Sequence, residues 1–519
     1  MKLTSRANDA NWRFYNEPEG TKEYKGMIDG FLRTWREYVP SCYDGSKAVP
    51  LVLSFHGAAH HSAHQYTAWQ LIAERENFIV LYPESLIQEI KFNVWHAFTK
   101  EDGMPDDVEY VDKLIDLMIE KYNIDETRIY VQGQSVGDNM ASTYIYDHGD
   151  RIAAAAPLSG PACISNFVDE EGNVIVKPKY QVPVIRTHGS EDTQQPLGGL
   201  GKICVMSPKG EEKPTDVSEE ARKVKWLIGI EPNNKFWIEK NACNPLPKLT
   251  LDGRYEIAIY EGNPCDMVFY SVQTGEHGPY LDMADNIWSY FFSAYQRVNG
   301  EIIKNEPSRV LVRDYYAIAL AEGAKYAYVN NEKVAIHDSD EHETKVINGE
   351  YYVPVSALAR LFENTEVSLY DDGKCAVISK GMDQIQVASG NRAVVFNETL
   401  RDMPTTLYLN GEAYVPVCWI SELLNGTKAT VGYNACYINK DGGEMSFDFA
   451  FIIKKILGME YDRSNLERVE LEESLKKKGD KQYAAHNVAG DIYGGKSEEI
   501  FQKLKEKYEA DYAEYVKAQ

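Results

Sequence analysis

The sequence has 519 residues and no apolar run approaching the roughly 18 that a membrane-spanning helix needs. Its opening stretch, Met1-Lys2-Leu3-Thr4-Ser5-Arg6-Ala7-Asn8-Asp9, has no apolar segment, so no signal peptide is expected there. Basic residues are scarce: 55 Lys and Arg stand against 79 Asp and Glu, a formal net charge of -24. That imbalance argues against nucleic acid, whose phosphates need neutralising, and against an anionic membrane surface. None of the eight cysteines sits in a C-x-x-C pair, which sets aside zinc ribbons and dithiol redox motifs. Cys204, Cys243 and Cys265 fall within one stretch, where a disulfide or small buried side chains would both fit.

What the sequence does contain is a serine between two glycines. Arg128-Ile129-Tyr130-Val131-Gln132 predicts a buried strand, and the run from Asp138 to Tyr146 predicts a helix. Between them lies Gly133-Gln134-Ser135-Val136-Gly137. A G-x-S-x-G turn from strand to helix is a nucleophile elbow, whose small residues allow a strained turn that lifts the hydroxyl clear of the sheet. The helix N-terminus behind it favours negative charge as the serine attacks.

Such a serine needs a base, and the base needs an orienting acid. On this strand-turn-helix the chain order is Ser, then Asp or Glu, then His. Val182 to Thr187 predicts a strand, with His188-Gly189-Ser190-Glu191-Asp192 as the turn after it. Met267 to Val272 predicts another, ending in Gln273-Thr274-Gly275-Glu276-His277-Gly278-Pro279. Asp192 is the expected acid and His277 the expected base; His188 competes, but it precedes the acid. An oxyanion hole is expected from the backbone N–H groups of Val136 and of Ala58, with Ala59 as the fallback. Ala58 follows the predicted strand Leu51 to Phe55 and the turn His56-Gly57. His56, His60, His61 and His64 cluster in that loop, yet no nearby Asp, Glu or Cys completes a set of zinc ligands, so no metal is expected. Histidines lining a polar pocket mouth fit the loop better, which puts His56 among the expected substrate-binding residues. Trp69, Trp95, Trp226 and Trp237 offer surfaces on which a planar acyl group could stack, with core packing the alternative for Trp69 and Trp95, and Trp69, Trp95 and Trp237 join His56 among the expected substrate-binding residues.

Residues from about 25 to 297 resemble the polyhydroxybutyrate depolymerase and feruloyl esterase family of α/β-hydrolases. The carrying pieces are Leu51 to Gly57, Trp69, Ala73-Glu74, Phe78 to Glu84, Trp95, the helix from Asp107 to Tyr122, Ile124 to Val131, Ala153 to Gly160, His188 to Asp192 and the Gly275-Glu276-His277 loop. The resemblance implies a serine carboxylic ester hydrolase that needs no cofactor and acts on plant-wall hydroxycinnamate (feruloyl) esters. Polyester depolymerase, acetyl esterase, serine peptidase and a catalytically dead scaffold are the competing readings. This sequence departs from the family after the serine, where Val136-Gly137-Asp138 replaces the usual Ala-Gly-Gly and puts a carboxylate on the first turn of the helix. Gly198 to Lys248 looks like an insertion.

A repeat marks a second region. Asn348-Gly349-Glu350-Tyr351-Tyr352-Val353-Pro354-Val355 returns 62 residues later as Asn410-Gly411-Glu412-Ala413-Tyr414-Val415-Pro416-Val417. Asn-Gly between apolar runs predicts a hairpin. Helices are predicted from Ser356 to Glu363 and from Cys418 to Asn425, and strands around 376–378 and 435–438. Residues 325–442 resemble the copper amine oxidase N-terminal-like domain, a module common in extracellular and cell-surface proteins of Gram-positive bacteria. The resemblance implies neither copper nor oxidase chemistry, and no ligand cluster is visible in the sequence there. It implies an exported protein, with a spacer role or contact with cell wall or glycan through 325–442. From Met445 onward the chain reads as helical and charged, with Ile500, Leu504, Tyr508, Tyr512 and Tyr515 as one apolar stripe. The expected organisation is thus an α/β fold: an α/β-hydrolase over 1–300, a smaller α+β repeat module over 325–442, and a helical C-terminal segment over 445–519. The expected partner is an ester substrate, polymeric or carbohydrate-linked, and the expected location is extracellular or at the cell surface.

Overall fold

A computed structural model describes residues 20–57, 62, 68–86, 95, 105–160, 162–163, 179–192, 197, 227–228, 230–275, 277–280, 282–311, 314 and 316–459. It divides into two compact units. One holds the described residues up to Pro245 together with Ile259–Leu311; the other holds Leu246–Ala258 with the described residues from 314 to 459.

Among the described residues, the main sheet of the first unit includes β1 (Thr21–Ile28), β2 (Phe31–Tyr38), β3 (Val49–Phe55), β4 (Ile79–Pro83), β5 (Ile124–Gln134), β6 (Ala154–Leu158), β7 (Val184–Gly189) and β8 (Met267–Val272). They lie in the order β1-β2-β4-β3-β5-β6-β7-β8. β1, β2 and β4 are antiparallel neighbours, and from β4 to β8 every pairing is parallel. A parallel sheet is covered on both faces, so its strands should be unbroken apolar runs rather than alternating ones. Leu51-Val52-Leu53, Ile79-Val80-Leu81 and Ala154-Ala155-Ala156 follow that rule, and all nine are fully buried. The helices include α1 (Ala68–Glu76), α2 (Asp107–Lys121), α3 (Val136–His148), α4 (Ile230–Lys240) and α5 (Met283–Tyr290). α2 starts where Asp106 accepts hydrogen bonds from the N–H groups of Val108 and Glu109, a side-chain cap with two acidic residues in the turn behind it. Strand order, direction and the β5-turn-α3 unit together make this the expected α/β-hydrolase.

The second unit shows what the repeat is for. Lys345–Ile347 pairs with Glu350–Pro354, and Leu407–Leu409 with Glu412–Pro416. Both Asn-Gly turns have two positive φ angles, 55° and 82° at Asn348-Gly349 and 51° and 87° at Asn410-Gly411. That is the I′ geometry whose twist matches a hairpin. The two hairpins then join edge to edge, with Tyr352 opposite Pro416, Val353 opposite Val415 and Pro354 opposite Tyr414. Val353 faces its own repeat equivalent, so a local two-fold relates the copies. The helices that follow are Leu358–Leu361, entered through a 3-10 turn, and Val417–Asn425, which ends on Gly426 at φ 63°. The third elements part company: Cys375–Lys380 sits in a five-stranded antiparallel meander, and Ala435–Asn439 pairs with Ile318–Ala321 in another sheet.

Leu246–Ala258 groups with the second unit. Leu249 N–H donates to the Tyr328 hydroxyl (3.0 Å), Leu251 N–H to Asp314 Oδ2 (3.0 Å) and Ser446 N–H to Glu256 Oε1 (2.6 Å). The helix Phe447–Ile456 begins at Ser446, whose hydroxyl accepts from Phe449 N–H. The stripe from Ile500 to Tyr515 lies outside the described residues. No described helix is long and apolar enough to cross a membrane.

Candidate active site

β5 delivers Gly133 and Ser135 to the turn, and α3 begins at the next residue, Val136. Ser135 sits at φ 56°, ψ −119°, a sparsely populated region that costs a non-glycine residue about 1–3 kcal/mol. The flanking glycines are required by space. A Cβ on Gly133 would lie 2.0 Å from the Gly137 carbonyl oxygen, and one on Gly137 would lie 2.3 Å from that of Phe55. The turn is held from below, where Ser135 N–H donates to the Leu158 carbonyl at 2.9 Å. Val136, as first residue of α3, has a backbone N–H with no acceptor inside the helix.

Asp192 and His277 leave the carboxyl ends of β7 and β8, the same edge of the sheet that carries Ser135 at the end of β5. Their loops are laced together: Ser190 N–H donates to Val272 O (3.0 Å), Glu191 N–H to Gly275 O (2.7 Å) and Thr274 N–H to Ser190 Oγ (3.0 Å). Across this lacing, His277 Nδ1 lies 2.9 Å from Asp192 Oδ2, with the histidine side chain 8% exposed and the carboxylate fully enclosed. With Nδ1–H donated to the carboxylate, the basic lone pair of the neutral ring is on Nε2.

His188, the competing histidine, is buried in β7 beside Ser271 of β8, with Nδ1 3.4 Å from the Ser159 hydroxyl. Burial pushes its pKa from 6.5 down to about 4; Asp192 opposes that shift, and Arg186 and His277 add to it. A neutral folded-state His188 therefore contributes stability that is complete above about pH 6.5 and is lost as pH falls toward 4, where only the unfolded chain binds the proton. His188→Asn should flatten the loss of urea stability between pH 7 and pH 4.5 by up to roughly 3 kcal/mol. Asp138, pushed up to about 6, acts with the opposite sign in the same window, so the variant-minus-wild-type difference is the quantity to measure. An identical pH profile for both proteins would remove His188 from the linkage.

The four expected substrate-binding side chains need correction. Trp69, Trp95 and Trp237 are all fully buried. Trp69 stacks on Phe292 (5.9 Å between ring centroids) and donates to Gln132 Oε1; Trp237 packs edge-on against Tyr146 and Phe236. Trp95 lies on Phe55 and His56 and donates to the His56 carbonyl at 2.8 Å. His56 is buried too, with Nδ1 against Gly57 O and Nε2 accepting from Ser85 N–H. These groups brace the fold behind the site instead of facing a substrate. Ala58, Ala59, His60, His61, His64, Trp226 and Glu276 lie outside the described residues.

Asp138 turns away from the oxyanion side and into the protein. Its Oδ2 takes Arg186 Nη1 at 2.5 Å and Gly160 N–H at 2.7 Å, and its Oδ1 takes the Ser142 hydroxyl at 2.8 Å. Both charged side chains are 0% exposed. The sequence carried the signal, because a lone arginine inside a strand buried on both faces needs a buried anion.

Two sequence families match. Residues 35–164 match the esterase PHB depolymerase family. Residues 328–435 match the copper amine oxidase N-terminal domain. The bifunctional acetylxylan esterase/xylanase XynS20E of Neocallimastix patriciarum is 32% identical over 147 residues, 28% of this chain and 19% of that protein. Feruloyl esterase B of Piromyces equi is 26% identical over 220 residues, 41% of this chain and 36% of its own length. Poly(3-hydroxyalkanoate) depolymerase C of Paucimonas lemoignei is 27% identical over 139 residues, 26% and 33% of the two chains. The chain thus spans between 19% and 36% of the length of these relatives. The PHB depolymerase match takes in β3, β5, the elbow and α3, and stops short of Asp192 and His277.

Proposed function

We propose that the first unit is a serine carboxylic ester hydrolase working through an acyl-enzyme. Ser135 Oγ attacks the ester carbonyl while His277 Nε2 takes its proton. Asp192 holds the ring in the tautomer that makes this possible and stabilises the imidazolium that forms. The backbone N–H groups of Val136 and Ala58 bind the oxyanion, His277 returns the proton to the leaving alcohol, and water then releases the acid by the same steps. The observation that carries the reading is the 2.9 Å contact between His277 Nδ1 and Asp192 Oδ2 on the strand edge that presents Ser135. A dead scaffold would have no use for that contact at the sheet edge that also carries a strained serine.

The test is intact-mass spectrometry after treating the full chain with a serine-directed phosphonate, followed by peptide mapping. One adduct on the peptide bearing Ser135, absent from Ser135→Ala, is expected; no adduct, or one elsewhere, sinks the reading.

For substrate, we propose acyl esters on plant cell-wall polysaccharide, a choice supported by similarity to acetylxylan and feruloyl esterases. Trp69, Trp95 and Trp237 are interior and Trp226 lies outside the described residues, so both acyl groups stand. Acetylated xylan and feruloylated oligosaccharide should each be cleaved with a higher kcat/KM than a short aliphatic polyester. Faster release from the polyester, or cleavage of peptide amides at comparable rates, would overturn the wall-ester reading. We further propose that the protein is exported and that residues 325–442 act as a spacer or wall-contacting module.

A further inference from the structure

The loop before the first hairpin of the second unit reads His337-Asp338-Ser339-Asp340-Glu341-His342-Glu343, two imidazoles among four carboxylates. The structure adds a third donor from 70 residues further on. Glu412, the first residue of the strand Glu412–Pro416, turns its side chain to this loop. His337 Nε2 lies 3.5 Å from Glu412 Oε2, and the two imidazole rings lie 3.8 Å apart at 37°. One donor atom from each of the three residues falls within 4.8 Å of the others.

These residues are placed as ligands are placed. His342 and Glu412 are buried, while His337 opens to solvent with a quarter of its side chain exposed (24%). His342 Nδ1 meets the Tyr414 hydroxyl at 3.0 Å, which leaves Nε2 as the donor nitrogen. Glu412 Oε1 accepts from Ser356 N–H at 2.6 Å, which fixes the carboxylate plane. Outer contacts of this kind orient the ligands of a metal centre. The site also does not follow from the fold. Glu350 is the repeat equivalent of Glu412, but the positions equivalent to His337 and His342 are Thr399 and Pro404, which offer no ligand.

We propose that His337, His342 and Glu412 bind a divalent transition-metal ion of the zinc type, with water completing a four-coordinate shell. Two imidazoles and a carboxylate suit zinc, and bonds of about 2.1 Å in a tetrahedron set neighbouring donors about 3.4 Å apart. The His337–Glu412 pair already has that spacing. A gap at the 4.8 Å limit must close by about 1.4 Å to reach it. One contact has to be given up: His337 Nδ1 accepts from Ser339 N–H at 2.9 Å, which puts the ring proton on Nε2. Ligation through Nε2 moves that proton to Nδ1 and releases Ser339, which lies on the exposed part of the loop. The surrounding carboxylates raise the local concentration of cations.

The experiment is calorimetric titration of the chelator-stripped full chain with zinc chloride, repeated on His337→Gln, His342→Gln and Glu412→Gln. Glu412→Gln also disturbs the Ser356 contact, so His337→Gln, at the exposed edge, is the variant that keeps the test decisive if the others fold poorly. The expected result is a site whose affinity falls by more than about tenfold in His337→Gln and His342→Gln. Thermal unfolding should shift upward with zinc in the wild type and by less in either variant. Histidines elsewhere in the chain bind zinc equally in all the proteins, so the difference between wild type and variant reads this site alone. No zinc binding by the wild type, or equal stoichiometry and affinity in the wild type and both histidine variants, overturns the proposal.

Discussion

Replacing Ser135 by alanine should abolish ester hydrolysis, lowering kcat by about 10⁴-fold or more, while the folded chain keeps its stability. The change removes one oxygen from a residue 5% exposed and leaves the glycines that shape the turn untouched. It does not relieve the strained backbone, because alanine at φ 56° is no better off than serine. Asp192→Asn should also lower kcat by about 10⁴-fold, because an amide facing Nδ1 favours the tautomer with its proton on Nε2, which cannot accept from serine. The double variant should be scarcely worse than either single one, since serine and acid act through the same proton transfer. Initial rates on a small activated ester, with circular dichroism melts alongside, decide the matter. Activity within tenfold of wild type in Ser135→Ala, with the fold intact, would put the nucleophile elsewhere.

The residues of this constellation were legible because the chemistry constrains sequence locally. Gly133 and Gly137 flank the serine since no Cβ fits at either place, and such a turn leaves its mark in five consecutive letters. Asp192 and His277 were expected from chain order and from the apolar runs that predict β7 and β8, and the structure brings the two side chains together. The module's hairpins were legible for a similar reason, because an I′ turn demands two residues tolerant of positive φ and Asn-Gly supplies them. What failed was whatever depends on which face a side chain takes. Trp69 and Trp95 could serve core or pocket equally, and sequence alone does not separate the two. His337, His342 and Glu412 escaped because their meeting requires the two hairpins to join at Val353 and Val415, and that pairing is set by tertiary contact. Of the meander between 365 and 402 only the strand around 376–378 was expected, despite the alternation at Gln384-Ile385-Gln386-Val387, where exposed and buried side chains do take turns.

Arg186→Met should destabilise the first unit by about 3–5 kcal/mol, the usual consequence of stripping a buried ion of its partner, and lower its melting midpoint by roughly 10 °C. The carboxylate left behind is completely enclosed and has only Gly160 N–H and the Ser142 hydroxyl to stabilise it. Burial already raises Asp138 to about 6 with the arginine in place, and losing that cation removes the largest opposing influence. The penalty should therefore shrink as pH falls from 8 to 5, where the orphaned acid is neutral in the fold. Adding Asp138→Asn to Arg186→Met should recover much of the loss, because an amide needs no counter-ion and keeps a carbonyl for Gly160 N–H. A coupling of 1 kcal/mol or more between the two changes is expected for direct partners, and strict additivity would mean the pair does not form. Catalysis should register the damage as well. Gly160 is packed so tightly that a Cβ there would lie 2.3 Å from both Asp138 Cβ and the Ser135 carbonyl oxygen. The hydrogen bond from Gly160 to Asp138 thus presses the loop after β6 against the underside of the elbow. Loosening it should lower kcat more than it raises KM, since the serine's position, and not an expected substrate contact, is what changes.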